Sequence, residues 1–134
     1  MKGNLNFLGL ARKAGRLAVG EDPCGDEVKA GNARLILTAR DAGVNTKKRA
    51  KTYSDISRAP HAQLDCTKAE LGAVFGRASC AICAVCDVGF ARAVCEKMGL
   101  DEALKEIEAH HAHRKQRRAA RRQEPASQEG DESL

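Results

Sequence analysis

The 134-residue sequence has no tryptophan and a single tyrosine, Tyr53, and aromatic residues make up only 3% of it. Its core must therefore be aliphatic, built of Leu, Val, Ile and Ala. The same poverty argues against a platform of exposed rings on which single-stranded nucleic acid stacks its bases. No apolar run approaches the length of a membrane span, and residues 1–4 lead into a helical pattern without the apolar stretch of a secretory signal. A cytoplasmic protein with no membrane partner is expected. Signatures of catalysis are also missing. There is no Ser/His/Asp order, no phosphate-cradling glycine fingerprint and no pair of acids in a recognisable setting, and His61 has no catalytic company. The residues point away from an enzyme, and no cofactor is expected.

Positive charge is what the chain has in excess. The net charge is +5, and it is unevenly spread. Residues 1–99 carry 16 Lys and Arg against 10 Asp and Glu, residues 109–122 carry six more cations with no acid, and residues 123–134 carry four acids with no base. A basic body suits a polyanion. The six cysteines read as reduced thiols in a cytosolic protein. Cys80, Cys83 and Cys86 have the spacing of iron–sulfur ligands. Strand alternation would put Cys80 and Cys86 on one face and Cys83 on the other, so no metal site is expected there. Cys24 lies near a helix start, where a thiol pKa falls. His110, His111 and His113 extend the basic tail.

The chain is organised around residues 31–51. A turn at Gly31-Asn32 leads into the apolar run Leu35 to Ala39, and the strand ends in Arg40-Asp41-Ala42-Gly43. Asn45-Thr46 reads as a cap for a helix reaching Ser57, whose first turns hold Lys47, Lys48, Arg49 and Lys51. Cations at that end oppose the helix dipole, which points to an anionic partner. Continuous rather than alternating apolarity predicts a strand covered on both faces, as in a parallel sheet. Before this stretch, residues 4–14 form a helical stripe with Asn4 as cap and Gly15 as stop, Leu17-Ala18-Val19 is a short extended piece, and a helix starts near Glu21-Asp22-Pro23. After it come a strand over 62–66, a capping box Thr67-Lys68-Ala69-Glu70 that opens a short helix, a strand over 79–85 and a helix from Phe90 to Met98. The pattern predicts a three-layer α/β/α sandwich around a small, mainly parallel sheet. It divides as a domain over 1–99, a basic helical extension over 100–122, and an acidic tail over 123–134 with the composition of disorder. Leu100, Leu104 and Ile107 form an apolar stripe for docking on the domain or on a partner.

Residues 8–17 (Leu8-Gly9-Leu10-Ala11-Arg12-Lys13-Ala14-Gly15-Arg16-Leu17) are followed in order by Gly20-Glu21, by Gly31 with Ala33-Arg34-Leu35, and by Asp41 with Asn45-Thr46-Lys47-Lys48. Then come Glu70-Leu71-Gly72 and Gly89-Phe90-Ala91. Together these resemble the bacterial YlxQ-type branch of the ribosomal protein L-seven-Ae family, over about residues 4–98. The resemblance implies an α/β/α sandwich that binds kink-turn RNA, a helix–bulge–helix element with tandem sheared G·A pairs. It places the RNA contacts at the start of the second helix (Gly20, Glu21, Asp22, to Asp26) and in the loop before the last strand (Arg77, Ala78, Ser79). The basic residues Arg12, Lys13, Arg16, Arg40, Lys47 and Lys48, with Asn45, complete the candidate surface. In the family, strong kink-turn binders carry Asn-Glu at the helix start and Lys one turn later. Here those places hold Asp22-Pro23 and Asp26. Structured RNA, possibly ribosomal, is the implied partner. An interaction protein bound to a ribosomal or translation-factor protein through residues 100–107 is the alternative, and a cysteine-based metal or redox protein is the third.

Overall fold

The computed structural model describes residues 2–132. The side chains of 1–3, 114, 115, 118 and 121–134, which include much of the tail's charge, lie outside the described residues. The elements run α1 (Lys2–Lys13), β1 (Leu17–Val19), α2 (Glu21–Lys29), β2 (Leu35–Thr38), α3 (Val44–Ser57), β3 (His61–Gln63), α4 (Lys68–Val74), β4 (Ile82–Val85), α5 (Val88–Met98) and α6 (Asp101–Glu132). Among the described residues they build one four-stranded sheet in the order β1-β4-β2-β3.

The all-buried strands β2 and β4 take the centre, because their side chains, Thr38 apart, are apolar on both faces. On one face Ile36, Ile82 and Ala84 pack with Cys24 and Val28 of α2 and Ala50 of α3. On the other, Leu35, Leu37, Cys83 and Val85 pack with Leu8 of α1, Leu71 of α4, Val94 of α5 and Ile107 of α6. This is the α/β/α sandwich that the sequence predicts.

The sheet departs from the expected parallel arrangement. β2 and β3 are parallel, joined through α3, but β4 runs antiparallel to both of its neighbours, β1 and β2. The reason lies in the connection. Helix α4 has only seven residues, about 10 Å of chain, and the turn after it returns to the end of the sheet where β3 stopped. The next strand must then enter in the opposite sense. The extended piece at 17–19 is also a true edge strand, paired over Leu17↔Val85 and Val19↔Cys83.

Local signals fare unevenly. The capping box is formed: the Thr67 hydroxyl accepts from the Glu70 N–H at 3.1 Å, and Glu70 accepts from the Thr67 N–H at 2.9 Å. Asp87 also caps α5, through the Phe90 N–H, although the local pattern places the helix start later, at Phe90. Asn4 is no cap, since α1 already begins at Lys2; its amide donates instead to the Lys97 carbonyl at 2.7 Å. Nor do Asn45 and Thr46 cap α3, which starts one residue earlier with Gly43 as its cap.

Helix α6 is laid along the domain itself. Ala103 and Ile107 are buried in the α1/α4/α5 core, with Leu100 and Leu104 packed beside them. The core therefore continues past Gly99. The helix also runs through residues 123–132, where composition predicts disorder. The Ala, Arg, Lys and Gln residues of 112–122 favour that helix, whereas Pro125 and Gly130 within 123–132 oppose it.

Candidate nucleic-acid interface

The strand directions gather the candidate surface. β1, β2 and β3 all end, and β4 begins, at one end of the sheet. Gly20 donates its N–H to the Ile82 carbonyl at 3.0 Å, and Ala39 donates to Ala81 at 3.0 Å. The turn into α2, the segment 39–46 into α3, and the loop 76–81 are thereby tied together. A side chain built at Gly20 would lie 3.9 Å from the Arg77 guanidinium, so the two elements that the family resemblance assigns to RNA are in contact. The loop is held from behind by α4, where Gly72 leaves no room for a side chain: its Cβ would come within 2.6 Å of the Ser79 Cα.

Two helix N-termini open at this end without a side-chain cap. Gly20 precedes α2 and Gly43 precedes α3, and neither helix start is closed by a side chain. Free amides at such positions are donors for phosphate oxygens. The two starts differ in charge. α3 has no acid in its first turn, and Lys47 and Lys48 stand on it. α2 carries Glu21 and Asp22 in its first turn, and Pro23 contributes no N–H.

Several side chains hold the helices in place. Thr46 donates to Glu21 Oε1 at 3.1 Å, and the Tyr53 hydroxyl donates to the Glu21 carbonyl at 3.1 Å. Gly25 permits that approach, since its Cβ would meet the Tyr53 oxygen at 2.7 Å. Glu21 is thus partly a strut between α2 and α3. Arg40 pairs with Asp65 at 2.8 Å, both exposed, while Lys47 donates to the Arg40 carbonyl at 3.2 Å. Asp41 accepts from the Lys68 N–H at 2.7 Å, which fixes the start of α4 against the loop after β2. Thr46, Tyr53, Asp41 and Asp65 carry no such role in the sequence pattern, because their partners are 25 or more residues distant. Val44, 69% exposed, is an apolar member of the same end that helical patterning hides.

The expected surface residues do not all converge. Gly20, Glu21, Asp22, Arg40, Asn45, Lys47, Arg77, Ala78 and Ser79 lie on the elements gathered at this end, and Lys48 follows on α3. Arg12 reaches the loop from α1: its guanidinium donates to the Phe75 carbonyl at 2.7 Å and lies over the Phe75 ring. Arg16 is at the other end of the sheet, where its carbonyl accepts from the Cys86 N–H. Asp26 borders a groove beside β1 with Gly15 and Leu17, and Lys13 borders another with Phe7 and Lys97.

The cysteines are free, and all but Cys86 are buried. Cys80 and Cys83 share the α1/α4/α5 core, while Cys86 turns towards Glu27 of α2. The alternation expected for 80–86 fails at Cys80, because the strand begins only at Ile82. Burial pushes the Cys24 thiol up rather than down, since the residue lies on the face of α2 packed on the sheet and not at the helix's open end. Burial likewise pushes Cys66 and Cys95 up to about 11 and Cys86 up to about 12. Thiols so raised are poor nucleophiles. Among the described residues no helix is long and apolar enough to cross a membrane.

No protein-family model matches the chain. It is 33% identical over 85 residues to the RNA-binding protein YlxQ of Bacillus subtilis (strain 168), covering 63% of this chain and 84% of that protein. It is 32% identical over 88 residues to the RNA-binding protein YlxQ of Enterococcus faecium, covering 66% and 84%. Among solved structures it is similar to a Bacillus halodurans C protein of unknown function, with a TM-score of 0.66 and 27% identity over 74% of this chain and 99% of the other. A Giardia lamblia 15.5 kD RNA-binding protein shares the fold, with a TM-score of 0.58 and 19% identity over 75% of this chain and 85% of the other. Sequence identity across most of both curated proteins settles the family, and the shared sandwich agrees with it: the chain belongs to the YlxQ family.

Proposed function

We propose that this protein is a non-catalytic, cytoplasmic RNA-binding protein that recognises structured, kink-turn-like RNA and acts with the ribosome or the translation apparatus. The observation that carries this reading is the meeting of two uncapped helix starts, the cations of α3 and the 77–79 loop at one end of the sheet. The open amides and the cations Lys47, Lys48 and Arg77 hold phosphates. The short residues Gly20, Ala78 and Ser79 let the backbone approach base edges. RNA binding as such has further support in the names of the curated relatives. A protein partner docked on residues 100–107 is the weaker alternative, because Ala103 and Ile107 are already covered by this chain's own core.

The test is binding of the full chain to a fluorescent kink-turn duplex, against the same duplex with Watson–Crick pairs in place of the tandem G·A pairs. Preference for the kinked form by about 10-fold, or about 1.4 kcal/mol, is the expected result. Equal affinity for the two duplexes would leave a protein that holds RNA by charge alone, and the kink-turn reading would fall.

A further inference from the structure

A second basic site lies at the far end of the sheet, where α6 crosses it. Arg34 precedes β2 and donates its N–H to the Val85 carbonyl at 2.8 Å. That is the end opposite Thr38 and Ile82, about 13 Å away along four strand residues. Arg34, Arg58, His110 and His111 line one small cavity there, over an apolar floor that includes Pro60 and Ile107. The cavity holds about 20 Å³, room for a group of roughly one water's size. It is too small for a base and suits the oxygen of a phosphate at its mouth.

The cations are placed by structure rather than left on a loose surface. The Arg34 guanidinium donates to the Gly31 and Ala33 carbonyls at 3.0 and 3.1 Å. Arg58 is the left-handed cap of α3, with φ of 64°, the one non-glycine positive φ among the described residues. Its backbone is pinned by its N–H to the Ser54 carbonyl at 2.8 Å and by the neighbouring Ala59 N–H to Ser57 Oγ at 3.1 Å. A non-glycine residue in that conformation carries strain that the surroundings must hold, and here it sets an arginine at the cavity. His110 and His111 arrive on α6, which Ala103 and Ile107 dock into the core. Glu108, the acid of α6 nearest to them in sequence, is turned towards Arg92 of α5 at 3.6 Å.

We propose that this cleft is a second phosphate-binding site, which holds the RNA backbone at the end of the sheet opposite the first interface. The inference rests on the RNA-binding reading above and extends it: the tail's first turns and the domain together grip a second stretch of the same RNA. Charge complementarity identifies the occupant. Two arginines and two imidazoles face this cavity, and among the described residues no acid lines it.

The test uses the full chain and a kink-turn duplex with long arms, with affinity measured across a salt series. Arg58→Gly removes one cation at a backbone conformation glycine adopts freely, and His111→Gln removes a second donor. The double variant should melt no lower than the wild type. It should bind the long-armed RNA several-fold more weakly, with the slope of log K against log salt reduced by about 0.9 for each phosphate no longer neutralised. Its preference for kinked over straight duplex should be unchanged, whereas Lys47→Gln with Lys48→Gln should lower that preference. If the wild type binds and the cleft variant matches it in affinity and slope, the second site is refuted while the first interface stands. If the wild type binds no RNA, the RNA reading fails and this inference with it. Should Arg58→Gly prove unstable, His110→Gln with His111→Gln carries the same expectation.

Discussion

At the scale of single residues, the structure assigns side chains to partners that no local pattern announces. Thr38 is a fully buried polar residue at the end of the apolar strand β2, and its hydroxyl is bonded to His61 Nε2 at 2.8 Å. Burial, and then the nearby charge of Lys47, hold the His61 pKa below its ordinary value of 6.5. The unfolded chain therefore binds more protons than the native one as pH falls through 6.5 towards the lowered value. Stability from this group is fully present above 6.5 and is lost through that window. Urea midpoints measured from neutral to mildly acidic pH should fall for the wild type, and His61→Gln should reduce that fall. An identical pH slope in the variant would assign the titration to another group. His61 thus has a partner that joins β2 to β3, which its lack of catalytic neighbours in sequence gave no reason to expect.

At the scale of elements, the short helix α4 is the device that shapes the candidate site. Thr67 and Glu70 close its start, a signal readable in four consecutive residues. What it does afterwards is not local. Gly72 packs directly on the backbone of Ser79, and the Gly72 carbonyl accepts from the Arg77 N–H at 2.9 Å. Gly72→Ala forces a methyl into that backbone, so the 77–79 loop must move. We expect a loss of about 1–3 kcal/mol by chemical denaturation, together with weaker discrimination of kinked from straight RNA. Wild-type stability in the variant would mean the loop shifts at no cost, and that α4 does not set its position. The central strands make a related point. Their unbroken apolarity correctly signalled cover on both faces, but such cover says nothing about direction, and β4 runs antiparallel.

At the scale of the whole molecule, α6 joins the domain to its basic tail. Ile107 and Ala103 are buried by this packing, so a chain ending at residue 99 exposes the patch they cover. Its stability should fall by about 2–4 kcal/mol, seen as a melting temperature lower by several degrees. A chain ending at residue 109 should melt close to the full protein, because it keeps both anchors. If the two truncations melt alike, the α5–α6 packing contributes nothing, and the far-end cleft loses its support. The cleft itself needs all three layers: Arg34 from before β2, Arg58 from the end of α3, and the histidines from α6.

The sequence alone determined the aliphatic core, the succession of helices and strands, the capping box at Thr67, and the family, because each depends on residues close in the chain or in fixed order along it. It also marked Lys47 and Lys48, since cations at a helix start are unusual wherever that helix lies. Only the tertiary structure decided the antiparallel course of β4, the separation of Arg16 and Asp26 from the other candidates, the burial that raises the Cys24 thiol, and the joining of the tail to Arg34 and Arg58. Each of these depends on which end of the sheet a segment reaches and on what packs over it. Those are set by chain reversals and long-range packing, and no spacing within a single element encodes them.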